Sequence, residues 1–441
     1  MSDLYNHSSH RFGSRRWFLQ TGLAGLGALS LPSASSAATS SAPKRKTSVI
    51  LFWLSGGPSH IDMWDPKPDA PADIRGPFGS IATKVPGIRV SEHLPLQARI
   101  MDKLTLIRSV DCKASNHTPI TMQAGHPLAR RTNDGKDGGG YPSMGSIAAK
   151  FRGPNDPNLP AFVGLADSWK ADVWGAGHMG SAFEPTKGGE LSGRLALPEG
   201  LEVSTLHDRS ALRQQFDRLQ HDLDVSDGMK RIDGYSRQAL EMVVSGKARQ
   251  AFEIEREPDR VRDSYGRDSI GEKALLARRL VEAGVTFCLV SGAWGYFDHH
   301  GDEVRWGGIE KGLKPLLPRV DSVVYSLIND LEVRGLLDNT LVLMMGEFGR
   351  GPVINKNAGR DHWTNCMSML MAGGGLNHGQ TVGSTDHKGY DIKDRRVGPE
   401  DIAATVFKHL GIDLDASWRD PLGRPIPIVA GEGRPIPELG Q

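Results

Sequence analysis

Nearly uninterrupted apolar runs, separated by helical patterns, constrain this chain more than any other feature. Val49–Leu54, Leu104–Val110, Val285–Val290, Leu341–Met345 and Met367–Met371 lack the strict apolar-polar alternation of a half-exposed strand. Strands apolar on both faces need cover on both, as in a parallel sheet with helices above and below. The intervening segments supply those helices. Glu92–Lys103 reads as an amphipathic helix capped by Ser91, and a second helix runs from Ser143 to Lys150 ahead of a short strand at Ala161–Leu165. Gly271–Ala283 is helical and is stopped by Gly284, and Pro315–Gly335 gives another helix. Pro399, Glu400 and Asp401 open a last helix, with proline in its first turn and acids at the positive end of its dipole, and Gly411 closes it. This βαβ rhythm predicts an α/β fold with a mostly parallel sheet and helices on both faces.

The N-terminus reads as an address. Ser14-Arg15-Arg16-Trp17-Phe18-Leu19-Gln20 precedes an apolar segment, Thr21–Leu31, and small residues through Ala38, the pattern of a cleaved export signal with a twin arginine. The apolar segment is shorter than the roughly 20 residues that span a bilayer, so the mature chain is expected to carry no integral membrane segment. The expected organisation is a signal peptide at 1–38, a linker at 39–46 and a single domain at 47–441 with a helical insertion at roughly 205–250. The expected location is periplasmic or otherwise extracytoplasmic, with the twin-arginine export machinery as a partner. Lys and Arg total 53 against 52 Asp and Glu, so no net charge draws the chain to nucleic acid. The three cysteines, Cys112, Cys288 and Cys366, form no CxxC pattern and no even-numbered disulfide framework.

Ligand-type residues follow the strands. Asp298, His299 and His300 come just after Val285–Val290, Glu347 and Arg350 just after Leu341–Met345, and Asn116, His117 and Thr118 after Leu104–Val110. Asp361 and His362 precede Met367–Met371, while His60 and Asp62 follow the first strand. Loops at the carboxyl ends of parallel strands line the ligand crevice of such sheets, which predicts one shared site. Carboxylates, imidazoles, a hydroxyl and an arginine suit metal-assisted hydrolysis. Pro119 also allows Thr118 to be an ordinary helix cap, and His60 and Asp62 to be turn formers.

The segments Gly56-Gly57-Pro58-Ser59-His60-Ile61-Asp62, Phe297-Asp298-His299-His300-Gly301-Asp302, Gly346-Glu347-Phe348-Gly349-Arg350 and Asn357-Ala358-Gly359-Arg360-Asp361-His362-Trp363 resemble a bacterial, twin-arginine-exported, sulfatase-like family of unknown function. That family is similar in fold to the alkaline phosphatase and arylsulfatase superfamily. The resemblance implies an alkaline phosphatase-like domain holding one or two divalent ions. It places Asp298, His300, Glu347 and His362 among the metal ligands, with Asp361 orienting His362, Thr118 as nucleophile or cap, His117 on the ester oxygens or as proton donor, and Arg350 as oxyanion partner. His299 is the expected bystander of its triplet. The ion is zinc, manganese, iron, magnesium or calcium, and the substrate a small-molecule or saccharide ester of phosphate or sulfate. Two departures stand out. Ser55 occupies the place of the superfamily's usual Asp after the first strand, and the Cys-x-Pro-x-Arg motif of arylsulfatases is missing, with Cys112 in a different context. The alternative is an extracytoplasmic binding or scaffold protein that keeps the fold without the chemistry.

Overall fold

The apolar run of β1 (Ser48–Trp53) is buried along its whole length and divides its side chains between two cores. Ile50 and Phe52 enter one, and Val49, Leu51 and Trp53 the other, as the period-two geometry of a strand requires. The helices Ser269–Ala283 and Lys314–Val333 cover the first face. Met144–Phe151 and Pro399–His409 cover the second. The structure, a computed structural model, describes residues 45–129, 138–189, 247–292 and 295–440. The export segment and nearly all of the anticipated helical insertion lie outside the described residues; of the latter only the helix from Lys247 onward, ending at Phe252, is described. From Lys46 onward the chain forms one compact unit. Among the described residues no helix is long and apolar enough to cross a membrane.

After β1 come a small hairpin, β2 (Ser80–Ala82) and β3 (Arg89–Ser91), and then β4 (Leu104–Val110), β5 (Phe162–Leu165), β6 (Thr186–Lys187), β7 (Phe287–Ser291) and β8 (Thr340–Met345). A second hairpin, β9 (Gly349–Ile354) with β10 (Arg360–Trp363), leads into β11 (Met367–Gly373) and β12 (Gln380–Val382). The main sheet has eight strands in the order β12-β4-β11-β8-β1-β7-β5-β6. At its centre Leu51 faces Leu289 on one side and Leu343 on the other, both in parallel register. Only β11 runs against its neighbours, pairing antiparallel with β4 and β8. The sheet is therefore mixed and mostly parallel, as the sequence pattern predicts. The single reversal has a functional consequence. The carboxyl ends of β1, β4, β5, β7 and β8 share one edge of the sheet, and the start of β11 lies at that edge as well.

The helix expected over Glu92–Lys103 is shorter. It spans Pro95–Arg99, followed by one tight turn at Met101–Lys103. Pro95 disfavours helical backbone at the residue before it, and Leu94 has φ −120° and ψ 46°. Ser91 instead closes β3. The amides of this helix are capped from across the chain, because Asp321 accepts the Leu96 and Gln97 N–H groups at 2.8 Å each. A distant carboxylate thus does what local sequence assigned to a neighbouring serine.

Candidate metal centre

Five segments meet at the shared sheet edge. Past β7, Gly295 N donates to Ser55 Oγ at 3.2 Å and Phe297 N to Ser55 O at 2.8 Å, which fastens the Asp298 loop to the turn after β1. Gly56 and Gly57 make that turn with φ of 106° and 90°. A Cβ on Gly56 would stand 2.5 Å from the Asp298 nitrogen, so only glycine permits this approach.

Asp298 is the hub. Its Oδ1 is 2.9 Å from His300 Nε2 and 3.2 Å from His362 Nε2, and it also accepts from Arg350. Its Oδ2 faces His117 Nε2 across 3.7 Å, longer than a hydrogen bond. The His300 and His362 ring centres are 4.3 Å apart, and those of His117 and His362 are 4.8 Å apart. One ligand atom each from His117, Asp298 and His362 lies within 4.8 Å of the others, close enough for a single cation to bind all three. Two imidazoles and a carboxylate are a donor set suited to a borderline divalent metal.

The electrostatics follow from the same contacts. Burial alone would raise the Asp298 carboxyl, but the neighbouring donors of His117, His362 and Arg350, with the Arg350 charge, outweigh it and hold the group well below the ordinary carboxylate range. Burial lowers His117, yet Asp298 and Glu347 together lift it to about 9. In the absence of an ion, His117 therefore carries the positive charge that a cation would replace, and metal binding here releases a proton. His300 is lowered, chiefly by burial and then by Arg350.

The other expected residues have distinct placements. Glu347 is 2% exposed, and its Oε1 accepts both Gly56 N and His117 Nδ1 at 2.8 Å. This is the carboxylate–imidazole relay that fixes ring orientation at many metal sites. Arg350 is 1% exposed, and its guanidinium donates to Gly57 O, Arg360 O, Gly56 O, Phe297 O and Asp298. Its donors are thus engaged within the protein. Thr118 does not cap a helix: the following helix is one turn, Ile120–Ala124, with Pro119 in the cap position. The Thr118 hydroxyl instead donates to Asn116 Oδ1 at 2.6 Å.

His362 and Arg350 lie on the β9–β10 hairpin, where His362 pairs with Arg350, and not in open loops. Asp361, exposed beside His362, accepts from Asn355 Nδ2 at 2.9 Å. His299 points away from the cluster, bonded through Nδ1 to Trp306 O at 3.0 Å, and burial lowers it to about 4. His60 is 1% exposed, with Nε2 against Gly389 O at 2.9 Å. Asp62 forms a buried two-point ion pair with Arg360, Nε to Oδ2 at 2.7 Å and Nη2 to Oδ1 at 2.9 Å. Neither is in the cation-competent group. All three cysteines are free and buried, and burial pushes the Cys366 thiol up to about 12, leaving it protonated.

One charged residue at this edge escaped the sequence reading. Asp172, beyond β5, has no exposed surface and faces the hydroxyls of Ser55 and Ser291. It sits in a Trp- and Gly-rich stretch that reads only as a loop. The rule that ligands gather past the carboxyl ends of parallel strands, applied to β5, would have pointed to it.

Residues 46–439 match the family described as "Protein of unknown function (DUF1501)". The chain belongs to that family. No protein of curated function matches this DUF1501 member. Among solved structures it is similar to PsFucS1 sulfatase from Pseudoalteromonas sp., at 12% identity and TM-score 0.39, over 83% of this chain and 68% of that one. It is also similar to the phosphonate monoester hydrolase SpPMH from Silicibacter pomeroyi, at 11% identity and TM-score 0.38, over 90% and 76%. A third is a TAB5 alkaline phosphatase mutant, at 12% identity and TM-score 0.34, over 83% and 99%. Likenesses this distant assign no role to individual residues.

The Asp62–Arg360 pair anchors the hairpin that carries His362. Replacing Asp62 with Ala leaves a buried guanidinium without its counter-charge, which costs about 3–5 kcal/mol. Urea denaturation of Asp62→Ala is expected to show that loss, and a change below about 1 kcal/mol would mean that the pair does not hold the hairpin.

Proposed function

We propose that this protein is an exported, metal-dependent hydrolase of a phosphate or sulfate ester. The observation that carries the reading is the convergence of His117 from beyond β4, Asp298 from beyond β7 and His362 from the β9–β10 hairpin onto one point. A divalent cation held there would supply Lewis acidity toward an ester oxygen. The chain's own groups do the rest. Glu347 holds His117 by its Nδ1, so that Nε2 faces the cluster. Arg350 fixes Asp298 and the glycine turn, acting on substrate through the geometry of the loop instead of by direct contact. His300, a third of its side chain exposed, stands beside Asp298 with its Nε2 on that carboxylate and helps to orient it. Thr118, held by Asn116, is the proposed nucleophile, its hydroxyl proton directed to Asn116 Oδ1 in the resting state.

The rival reading, a binding protein that retains the fold, draws on Ser55 standing where a carboxylate would supply a second strong ligand, and on an arginine turned inward. The two separate on one set of proteins. Purified mature protein is expected to contain a divalent metal by elemental analysis and to hydrolyse a chromogenic phosphate or sulfate ester. His117→Ala with His362→Ala should lose both metal and activity, and should melt at a lower temperature because a ligand bound only by the folded state is gone. Thr118→Ala should abolish hydrolysis with metal content unchanged and stability within about 1 kcal/mol, since the side chain caps no helix. Metal-loaded protein inert toward a broad ester panel favours the binding reading, and full activity in Thr118→Ala removes it as nucleophile.

Export is carried by the arginine pair ahead of the apolar segment. Changing Arg15 and Arg16 both to Lys is expected to retain the protein in the cytoplasm, and undiminished recovery outside it would argue against the twin-arginine route.

A further inference from the structure

A second cavity lies behind the loop that carries Asp298, between that loop and the start of the helix Lys314–Val333. It measures about 360 Å³ with its open side included, and none of His117, Asp298, His300 and His362 lines it. Tyr296 and Trp306 form aromatic walls, edge to face with 5.4 Å between ring centres, and Pro315 and Leu316 extend a mostly apolar lining. Two polar side chains, His299 and Arg319, interrupt that lining.

The His299 ring is 5% exposed, and its Nδ1 lies 3.0 Å from the Trp306 carbonyl oxygen. A carbonyl only accepts, so Nδ1 carries the hydrogen, and Nε2 of the neutral ring is an acceptor. That Nε2 has no hydrogen-bond partner. Gly312 keeps the ring where it is: a Cβ there would stand 1.9 Å from Trp306 O and 2.5 Å from His299 Nδ1. A buried acceptor left without a donor costs free energy that a bound hydroxyl would recover. Arg319 stands at the exposed side, its Nε 3.8 Å from Asp268 Oδ2, longer than a hydrogen bond. The Arg305 guanidinium lies over the Trp306 ring at 4.6 Å and adds positive charge, while no acid lines the cavity among the described residues.

We propose that this cavity is a binding site for a phenolic acid, a single aromatic ring carrying one hydroxyl and one carboxylate. The ring packs against Tyr296 and Trp306, the hydroxyl donates to His299 Nε2, and the carboxylate meets the Arg319 fork. The volume is near the lower end of the range of about 300–1,000 Å³ for small-molecule pockets, which suits one ring. An acidic sugar would fit by size and charge, but its several hydroxyls would face apolar walls with one acceptor among them, and unpaired hydroxyls are costly there. The site is separate from the hydrolase reading and does not rest on it.

The mature protein in EDTA is titrated with para-hydroxybenzoate and followed by calorimetry and tryptophan fluorescence. The wild type is expected to bind one equivalent with a change in emission. Benzoate, which lacks the hydroxyl, and phenol, which lacks the carboxylate, should each bind at least about tenfold more weakly. Glucuronate should bind more weakly than para-hydroxybenzoate. His299→Phe should remove the preference over benzoate, and Arg319→Gln the preference over phenol. These ratios between ligands are readouts that a merely structural role would not move, and Arg319 is exposed, so its variant reports however His299→Phe folds. His117→Ala with His362→Ala should bind para-hydroxybenzoate as the wild type does, which separates this cavity from carboxylate capture at the histidine cluster. Absence of binding, equal binding of the three aromatic probes, tighter binding of glucuronate, preferences unchanged in both cavity variants, or loss of binding in the histidine-cluster variant each overturns the site. None of those outcomes bears on metal binding or ester hydrolysis at the cluster.

Discussion

The buried guanidinium of Arg350 is the contact on which the site depends. From β9 it reaches the carbonyls of Gly56 and Gly57 beyond β1, Phe297 and the Asp298 carboxylate beyond β7, and the Arg360 carbonyl on β10. One rigid, planar set of donors thereby holds four stretches of chain whose ends the sheet brings near but does not itself align. The cation is fully charged in a place with almost no water, so its position is affordable only because Asp298 answers it. Asp298 in turn gathers the three histidines. Sheet, arginine, carboxylate and imidazoles form a chain of dependence that runs from packing to chemistry.

A second, similar pair works one layer further out. Arg360 is buried against Asp62 and also donates to the carbonyls of Pro352 and Ile74. It fastens the β9–β10 hairpin to the first loop, so that His362, itself exposed, is carried on a supported strand. Precision at a site of exposed side chains comes from the rigidity of what lies beneath them.

The strands were legible in the sequence where burial on both faces leaves a plain apolar run: Leu104–Val110 begins and ends in the structure where the pattern places it, and the run Leu341–Met345 is extended there by Thr340 alone. The shared edge was legible too, because the carboxyl-end rule needs only strand order along the chain. What was not legible is set by distant partners. Asp321 caps a helix some 225 residues away, and no local pattern encodes it. His362 reaches the site because β11 runs antiparallel, a choice made by the pairing of Leu370 with Met344 and Leu106. Arg350 read as an anion binder since an arginine in a glycine-rich segment looks the same in sequence whether it faces solvent or carbonyls. Asp172 read as loop because burial, and not residue type, is what makes it unusual.

The central claim is that imidazoles of His117 and His362 and the carboxylate of Asp298 meet on one ion. X-ray absorption at the metal edge of the metal-loaded mature protein tests it most directly. Two imidazole rings with a carboxylate oxygen, all at about 2.0–2.2 Å, is the predicted first coordination sphere, with the imidazole scattering reduced in His362→Ala. A sphere of oxygens alone, or a spectrum indifferent to His362, would contradict the account.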